Sequence, residues 1–505
     1  MKLREAWCKR EEWKKDYYIP SYDREVVKKN TEGSPLWLHF GAGNIFRAFI
    51  AVAMDELLEQ GLSDKGIIVC EDFDKELVER AYIPYDSISL AVTLKSDGTV
   101  GKRVIGRITE AFTDYERMRT LFCMPSIQMV SFTITEKGYT GSLMGKIAEF
   151  CLARYQNGAY PVALVSMDNC THNGEILSNA VMKHASSLVS EGKADENFLK
   201  YLSDEKQVAF PWTMIDKITP RPDVKVQELL KKDGFKDNET IITRYNTYAA
   251  PYVNAEETQY LVVEDKFPNG RPQLEAAGII FSDRETVDKI EKMKVGTCLN
   301  PLHTSLAIFG CLLGYETIHE EMKDEQLRKL VWDLGYKEGM PVVVHPGIMK
   351  PEEFLNDVLT KRFPNPFMPD SPQRIATDTS QKIPVRFGQT LQAYLLRPEL
   401  KVKELNLIPL VFAGWLRYLM GVDDKGERFT QSPDLRLQEL TSVMEGIQLS
   451  ENTFNEGKLD QILQDRSIFV IDLYSSGLAE KIKSMFRSMI VGPGAVRETL
   501  RRYCS

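Results

Sequence analysis

The stretch Leu36-Trp37-Leu38-His39-Phe40-Gly41-Ala42-Gly43-Asn44-Ile45-Phe46-Arg47 decides the architecture. Its first five residues form a short apolar strand that runs straight into a glycine-bracketed turn. Beyond the turn, Ile45, Phe49, Val52, Ala53 and Leu57 recur at helical spacing up to Gly61. A second apolar run over 66–70 then ends in Glu71-Asp72. Strand, turn, helix and strand in this order open a parallel α/β sheet.

A Gly-x-Gly turn between strand and helix lets the backbone approach a pyrophosphate where helix N–H groups are unpaired. Gly41, Gly43, Asn44, Ile45, Phe46 and Arg47 are therefore candidate cofactor positions, with Phe46 standing where a third glycine is usual. The same residues also suit a plain tight turn. A carboxylate ending the next strand bonds ribose hydroxyls and repels a 2′-phosphate, so Glu71 and Asp72 predict NAD rather than NADP.

Working outward, residues 88–108 read as a β-hairpin insert, with arms at 89–94 and 103–108 around an Asp97-Gly98 turn. Sheet-type runs resume over 128–135 and 161–166. They stop at polar clusters that place Thr135, Glu136, Asp168 and Asn169 at strand ends, where open α/β sheets bind ligands. From about residue 284 the pattern becomes long helical segments. The expected division is an α/β domain over 1–284 and a mostly α-helical domain over 285–505.

Composition narrows the function. The chain has 505 residues, 43% of them hydrophobic, and a net charge of −8. That balance suits folded domains, and a mildly acidic surface disfavours nucleic acid. No apolar stretch approaches the ~18 residues of a membrane span. The N-terminus is charged, and the eight cysteines are scattered without a CxxC pair. A cytoplasmic location without membrane association is expected, and no metal site is legible.

In the second half, Lys294 precedes Asn300-Pro301-Leu302-His303. Oxidising a secondary alcohol by hydride removal needs a base for the hydroxyl proton and donors for the developing oxyanion. A lysine in an apolar site can be that base, Asn300 an oxyanion donor, and His303 a group orienting the substrate oxygen. A capping asparagine and a hydrogen-bonded core histidine would read the same way.

Several blocks in order resemble the long-chain polyol dehydrogenases, the mannitol 2-dehydrogenase and fructuronate reductase family. They include His39 to Arg47, Val130 to Tyr139, Ser166 to Gly174, Phe210 to Pro220, Val263 to Pro272, Leu299 to His303, Arg362 to Pro366, Ser380 to Pro384 and Ala413 to Tyr418. The resemblance implies a Rossmann-like first domain and an NAD(P)-dependent enzyme interconverting a sugar alcohol or aldonate and its keto form. Without metal-ligand spacings in the sequence the reaction is expected to need no metal, and either a monomer or a homodimer is expected. The resemblance also implies catalytic roles for Lys294, Asn300, His303 and Asn173, and substrate roles for Asp216, Arg374 and Lys382.

Lys294 stands six residues before Asn300, where the family has five, so a local bulge is expected between them. Arg221 and Arg362 add cations near the substrate segments and point to a carboxylate-bearing substrate. Fructuronate reduction is the leading expectation, with mannitol 2-dehydrogenase, tagaturonate reductase and a catalytically silent NAD-binding scaffold as alternatives.

Overall fold

Six strands make one wholly parallel sheet in a computed structural model that describes residues 1–13, 15–450 and 455–504. They are β1 (Trp37–Phe40), β2 (Ile67–Cys70), β3 (Ile108–Phe112), β4 (Met129–Phe132), β5 (Val162–Ser166) and β6 (Val208–Ala209). Their spatial order is β3-β2-β1-β4-β5-β6, with Phe40 opposite both Cys70 and Phe132. This is the order of dinucleotide-binding sheets. The direction of winding reverses between β1 and β4, so a crevice opens at the end of β1.

The strands are apolar on both faces because both faces are covered. Trp37, Ile67, Val69, Met129 and Val165 face one core, which includes Met54 and Leu57 of helix α1 (Ala51–Glu59). Leu38, Phe40, Ile68, Val130 and Leu164 face the other, with Leu177 and Val181 of helix α2 (Asn173–Ser190). The period-two alternation along each strand makes this division possible.

The hairpin insert is present, but its second arm is Val100–Ile105, antiparallel to Ser89–Leu94. Ile108 and the residues after it belong to β3 instead. Between them, Gly106 passes so close to the Trp7 ring that a Cβ would lie 2.1 Å from it, and Arg107 turns inward onto Asp55. Those two residues separate segments that share the same β-type composition. The hairpin joins Tyr17–Tyr18 and Tyr252–Glu256 in a second sheet, and Thr213–Asp216 pairs with Tyr260–Glu264 in a third.

The chain forms two compact units, Met1–Asp288 and Lys289–Ser505, and the change falls inside helix α3 (Arg284–Met293). Unit two is helical and centred on α4 (Asn300–Leu313) and α5 (Leu407–Leu419). The helices meet closely at Gly414, where a Cβ would lie 2.7 Å from the Phe309 ring. The buried start of α5 needs acceptors for its orphan N–H groups. Glu338 supplies them, accepting from Asn406 at 2.6 Å and from Leu407 and Ile408 at 2.8 Å.

Among the described residues one helical run, Arg284–Leu313, is long and apolar enough to cross a membrane by length and composition, contrary to the sequence reading. Its apolar window is 83% buried within the protein, which identifies it as a core helix.

Candidate active site

In unit one the turn after β1 is built for close approach. Gly41 has φ +111°, and a Cβ there would lie 2.7 Å from the Thr133 carbonyl oxygen, so only glycine fits. Its N–H donates to the Cys70 carbonyl at 3.0 Å, fastening the turn to β2. A Cβ on Gly43 would meet nothing within 4 Å. That open space, at the start of a helix, fits the pyrophosphate of a dinucleotide.

Several expected cofactor side chains do other work. Arg47 is wholly buried and donates to the Ala250 carbonyl (2.6 Å), the Ser89 hydroxyl (3.3 Å) and Asn44 Oδ1 (2.9 Å). It therefore supports the turn from behind and cannot meet a phosphate. Phe46 is buried and stacks on His39 at 4.2 Å, leaving only its backbone for the cofactor. Ile45 packs against the core around α1.

Glu71 is bound to the backbone through both oxygens. Oε2 accepts from the Ala42 N–H at 2.8 Å, and Oε1 from Phe73 at 3.0 Å and Asp74 at 3.2 Å. Asp72 instead meets the Lys146 ammonium at 2.6 Å. Lys146 and Tyr82, whose hydroxyl donates to the Ala42 carbonyl at 2.6 Å, carried no sequence signal because each is brought in from a separate helix or turn.

Thr135 and Glu136 are exposed beyond β4, and Asn169 is exposed beyond β5. Asp168 accepts from Ser166 Oγ at 2.7 Å, from the Cys170 N–H at 2.9 Å and from the Tyr139 hydroxyl. Asn173 opens α2 and is wholly buried. Its Nδ2 donates to Thr213 Oγ1 at 2.9 Å and to the Asp168 carbonyl at 3.2 Å, while its Oδ1 accepts from the Thr213 N–H at 3.0 Å. Asp216 lies on the same strand as Thr213 and is buried. Arg221 is exposed, its guanidinium 4.2 Å from the centre of the Tyr248 ring.

Unit two gathers a different set. A π-helical turn, Lys294–Cys298, fills the interval between Lys294 and Asn300, and the Leu299 N–H donates to the Lys294 carbonyl at 3.1 Å. A π turn holds one residue more than an α turn, which is the bulge the six-residue spacing requires. Asn300 then opens α4 with Pro301 in its first turn, where no N–H is needed. Among the described residues the Asn300 side chain makes no hydrogen bond, in contrast to Asn173.

His303 sits on α4 against the Phe363 ring at 5.2 Å, with Nε2 buried and 3.5 Å from Asp370 Oδ2. That separation is too long for a good hydrogen bond. Burial, with the positive charges of Arg386, Arg374, Arg362 and Lys382, pushes His303 down to about 3, so its ring is neutral. Arg374 pairs with Asp370, and the Lys382 ammonium donates to the Ile375 carbonyl at 3.0 Å. Burial and the Arg386 charge push Lys382 down to about 8. Arg362 and Arg386 stand, like Lys294, on π-helical turns, Val358–Arg362 and Pro384–Gly388. Arg386 had escaped the sequence reading.

The family model for the mannitol dehydrogenase Rossmann domain matches residues 36–276, and that for the mannitol dehydrogenase C-terminal domain matches 286–490. The chain belongs to the mannitol dehydrogenase family. It is 48% identical to a D-mannonate oxidoreductase of Thermotoga maritima, over 98% of each chain. It is 28% identical to a mannitol 2-dehydrogenase of Pyricularia oryzae, covering 91% of this chain and 90% of that one.

Two solved structures share the fold. A substrate-free D-sorbitol dehydrogenase has a TM-score of 0.81 at 23% identity, covering 99% of this chain and 100% of the other. The Pseudomonas fluorescens mannitol 2-dehydrogenase, in a ternary complex with NAD and D-mannitol, has a TM-score of 0.69 at 22% identity, covering 98% of each chain.

Proposed function

We propose that this protein is an NAD-dependent D-mannonate oxidoreductase, interconverting D-mannonate and D-fructuronate. The observation that carries the reading is the set of four cations around His303, within a chain 48% identical to a D-mannonate oxidoreductase. Asp370 already offsets Arg374, and a sugar acid brings this cluster a further full carboxylate that a neutral polyol lacks.

When bound, the nicotinamide supplies or accepts the hydride. The Lys294 amine takes the substrate's hydroxyl proton in oxidation and returns it in reduction. The free amide of Asn300 donates to the reacting oxygen, and neutral His303 orients it without adding a further charge. Asn173 is a second amide donor in this reading, which requires it to exchange one of its present bonds for the substrate. Asp216, Arg362, Arg374 and Lys382 hold the remaining polar groups of the substrate.

Gly41, Gly43, Asn44 and the backbone of Ile45 and Phe46 hold the pyrophosphate, while Thr135, Glu136, Asp168 and Asn169 line the strand ends beside it. Asp72 faces the ribose and favours NAD. Among the described residues the eight cysteines form no disulfide, which supports a reducing, cytoplasmic setting.

The test is NADH oxidation by the purified protein with D-fructuronate, D-tagaturonate and D-fructose, repeated with NADPH. D-fructuronate with NADH should be the best pair. Equal efficiency on D-fructose would favour a mannitol 2-dehydrogenase, and NADH binding without any turnover would favour a silent scaffold.

A further inference from the structure

We propose that Arg386 receives the substrate carboxylate and is the residue that makes this site select an acid over a neutral sugar. The inference rests on the sugar-acid reading above and assigns it to a single side chain.

Arg386 lies alongside the first turn of α4. Its Nη1 donates to the Thr304 hydroxyl and, at 3.5 Å, to the Asn300 carbonyl. The helical segment bearing it is fastened to the π turn of Lys294 by the Thr390 hydroxyl, which donates to the Gly296 carbonyl at 3.0 Å. Arg386 is thus held beside Asn300 and His303 by groups that are all neutral.

Both of its hydrogen bonds leave from Nη1, so among the described residues the Nε–Nη2 edge makes no bond. Among the described residues no carboxylate forms an ion pair with it. A guanidinium keeps its charge at any ordinary pH and presents a planar fork that matches a carboxylate. Burial pushes Arg386 down to about 10, the mark of a charge that has lost water without gaining a counter-ion. A half-buried, unneutralised guanidinium with a vacant fork is suited to an incoming carboxylate.

The other cations are less suited. Arg374 already pairs with Asp370 and is 61% exposed. Lys382 is a point charge bound to a backbone carbonyl, and Arg221 belongs to unit one and stacks on Tyr248.

Arg386→Gln and Arg386→Lys are compared with the unmutated protein in kcat/KM for D-fructuronate and D-fructose. With Arg386→Gln the value for D-fructuronate should fall about 100-fold, chiefly through KM, while that for D-fructose should change less than about 3-fold. Arg386→Lys, which keeps the charge but loses the fork, should lose about 10-fold on D-fructuronate. An unchanged D-fructuronate KM in either variant, or equal losses on both substrates, would overturn the proposal. Should Arg386→Gln fail to fold, Arg386→Lys decides.

Calorimetry with D-gluconate and NADH separates this proposal from the choice of substrate. If the unmutated protein does not reduce D-fructuronate, the named reaction fails. Loss of D-gluconate binding in Arg386→Lys would then still support the carboxylate role, and unaltered binding or none in the unmutated protein would overturn it.

Discussion

The Leu299 N–H donates to the carbonyl of Lys294, five residues back, at 3.1 Å. That bond absorbs one extra residue in the helix and sets the angle between Lys294 and the start of α4 at Asn300. An α-helical path over the same residues would rotate Lys294 by about 100° relative to Asn300.

Deleting Val295 should therefore close the π turn to an α turn, give the family's five-residue spacing and leave Lys294 in register with Asn300. The melting temperature should stay within a few degrees, because an α turn replaces a π turn. Turnover should stay within about 10-fold, whereas inserting a second residue beside Val295, which the turn cannot absorb, should cost about 100-fold or more, since small misplacements of reacting groups are costly. Calorimetry and NADH oxidation on the same preparations check this, and a loss of about 100-fold in the deletion at an unchanged melting temperature would show that the bulge does not compensate for the extra residue.

Gly41 and Gly43 should separate folding from cofactor binding. Gly41→Ala forces a Cβ against the Thr133 carbonyl at positive φ and should destabilise unit one by about 1–3 kcal/mol. Gly43→Ala meets no protein atom within 4 Å, so it should melt normally yet bind NADH at least about 10-fold more weakly. Unaltered NADH affinity in Gly43→Ala would place the pyrophosphate elsewhere.

Two buried histidines should make the protein acid-sensitive. Burial pushes His39 down to about 3, and burial with nearby cations does the same for His303. Both are neutral when folded and take up protons near their ordinary value of ~6.5 when unfolded. The unfolded state thus binds more protons between about pH 6.5 and 3, and stability falls with falling pH across that window, by up to ~1.4 kcal/mol per pH unit for each histidine. Denaturant midpoints from pH 7 to 5 check the sign. His39→Gln should flatten the dependence, and an unchanged slope in that variant would contradict the assignment.

Lys382, pushed down to about 8, should give substrate binding a pH limit. Above that value it loses its charge, so KM for an anionic substrate should rise as pH increases through about 8. A bound anion will move the break upward. Lys382→Arg should abolish the break, and its persistence in that variant would assign it to another group.

The architecture was legible because β1, its turn and α1 carry their signals locally: an apolar run, a left-handed glycine and a helical period. The second hairpin arm was misplaced because 100–108 has one composition throughout, and the break at Gly106 depends on Trp7 from far earlier in the chain. Arg47 looked like a phosphate ligand because its burial depends on Ala250 and Ser89, which local periodicity does not register. Asn173 was recognisable as a candidate, but its engagement by Thr213 depends on a distant strand. Arg386 carries no motif that marks it for the site. Its position beside Asn300 follows from a π turn at Pro384–Gly388 that has no distinct residue signature.

The most direct measurement is single-turnover reduction of D-fructuronate by NADH in Lys294→Ala, with NADH affinity measured on the same sample. If Lys294 moves the proton, the rate should fall by several orders of magnitude, NADH should bind as before, and a small primary amine added to the solution should restore part of the rate in its unprotonated form. A rate close to that of the unmutated protein, or a loss matched by lost NADH binding, would contradict the role assigned to Lys294.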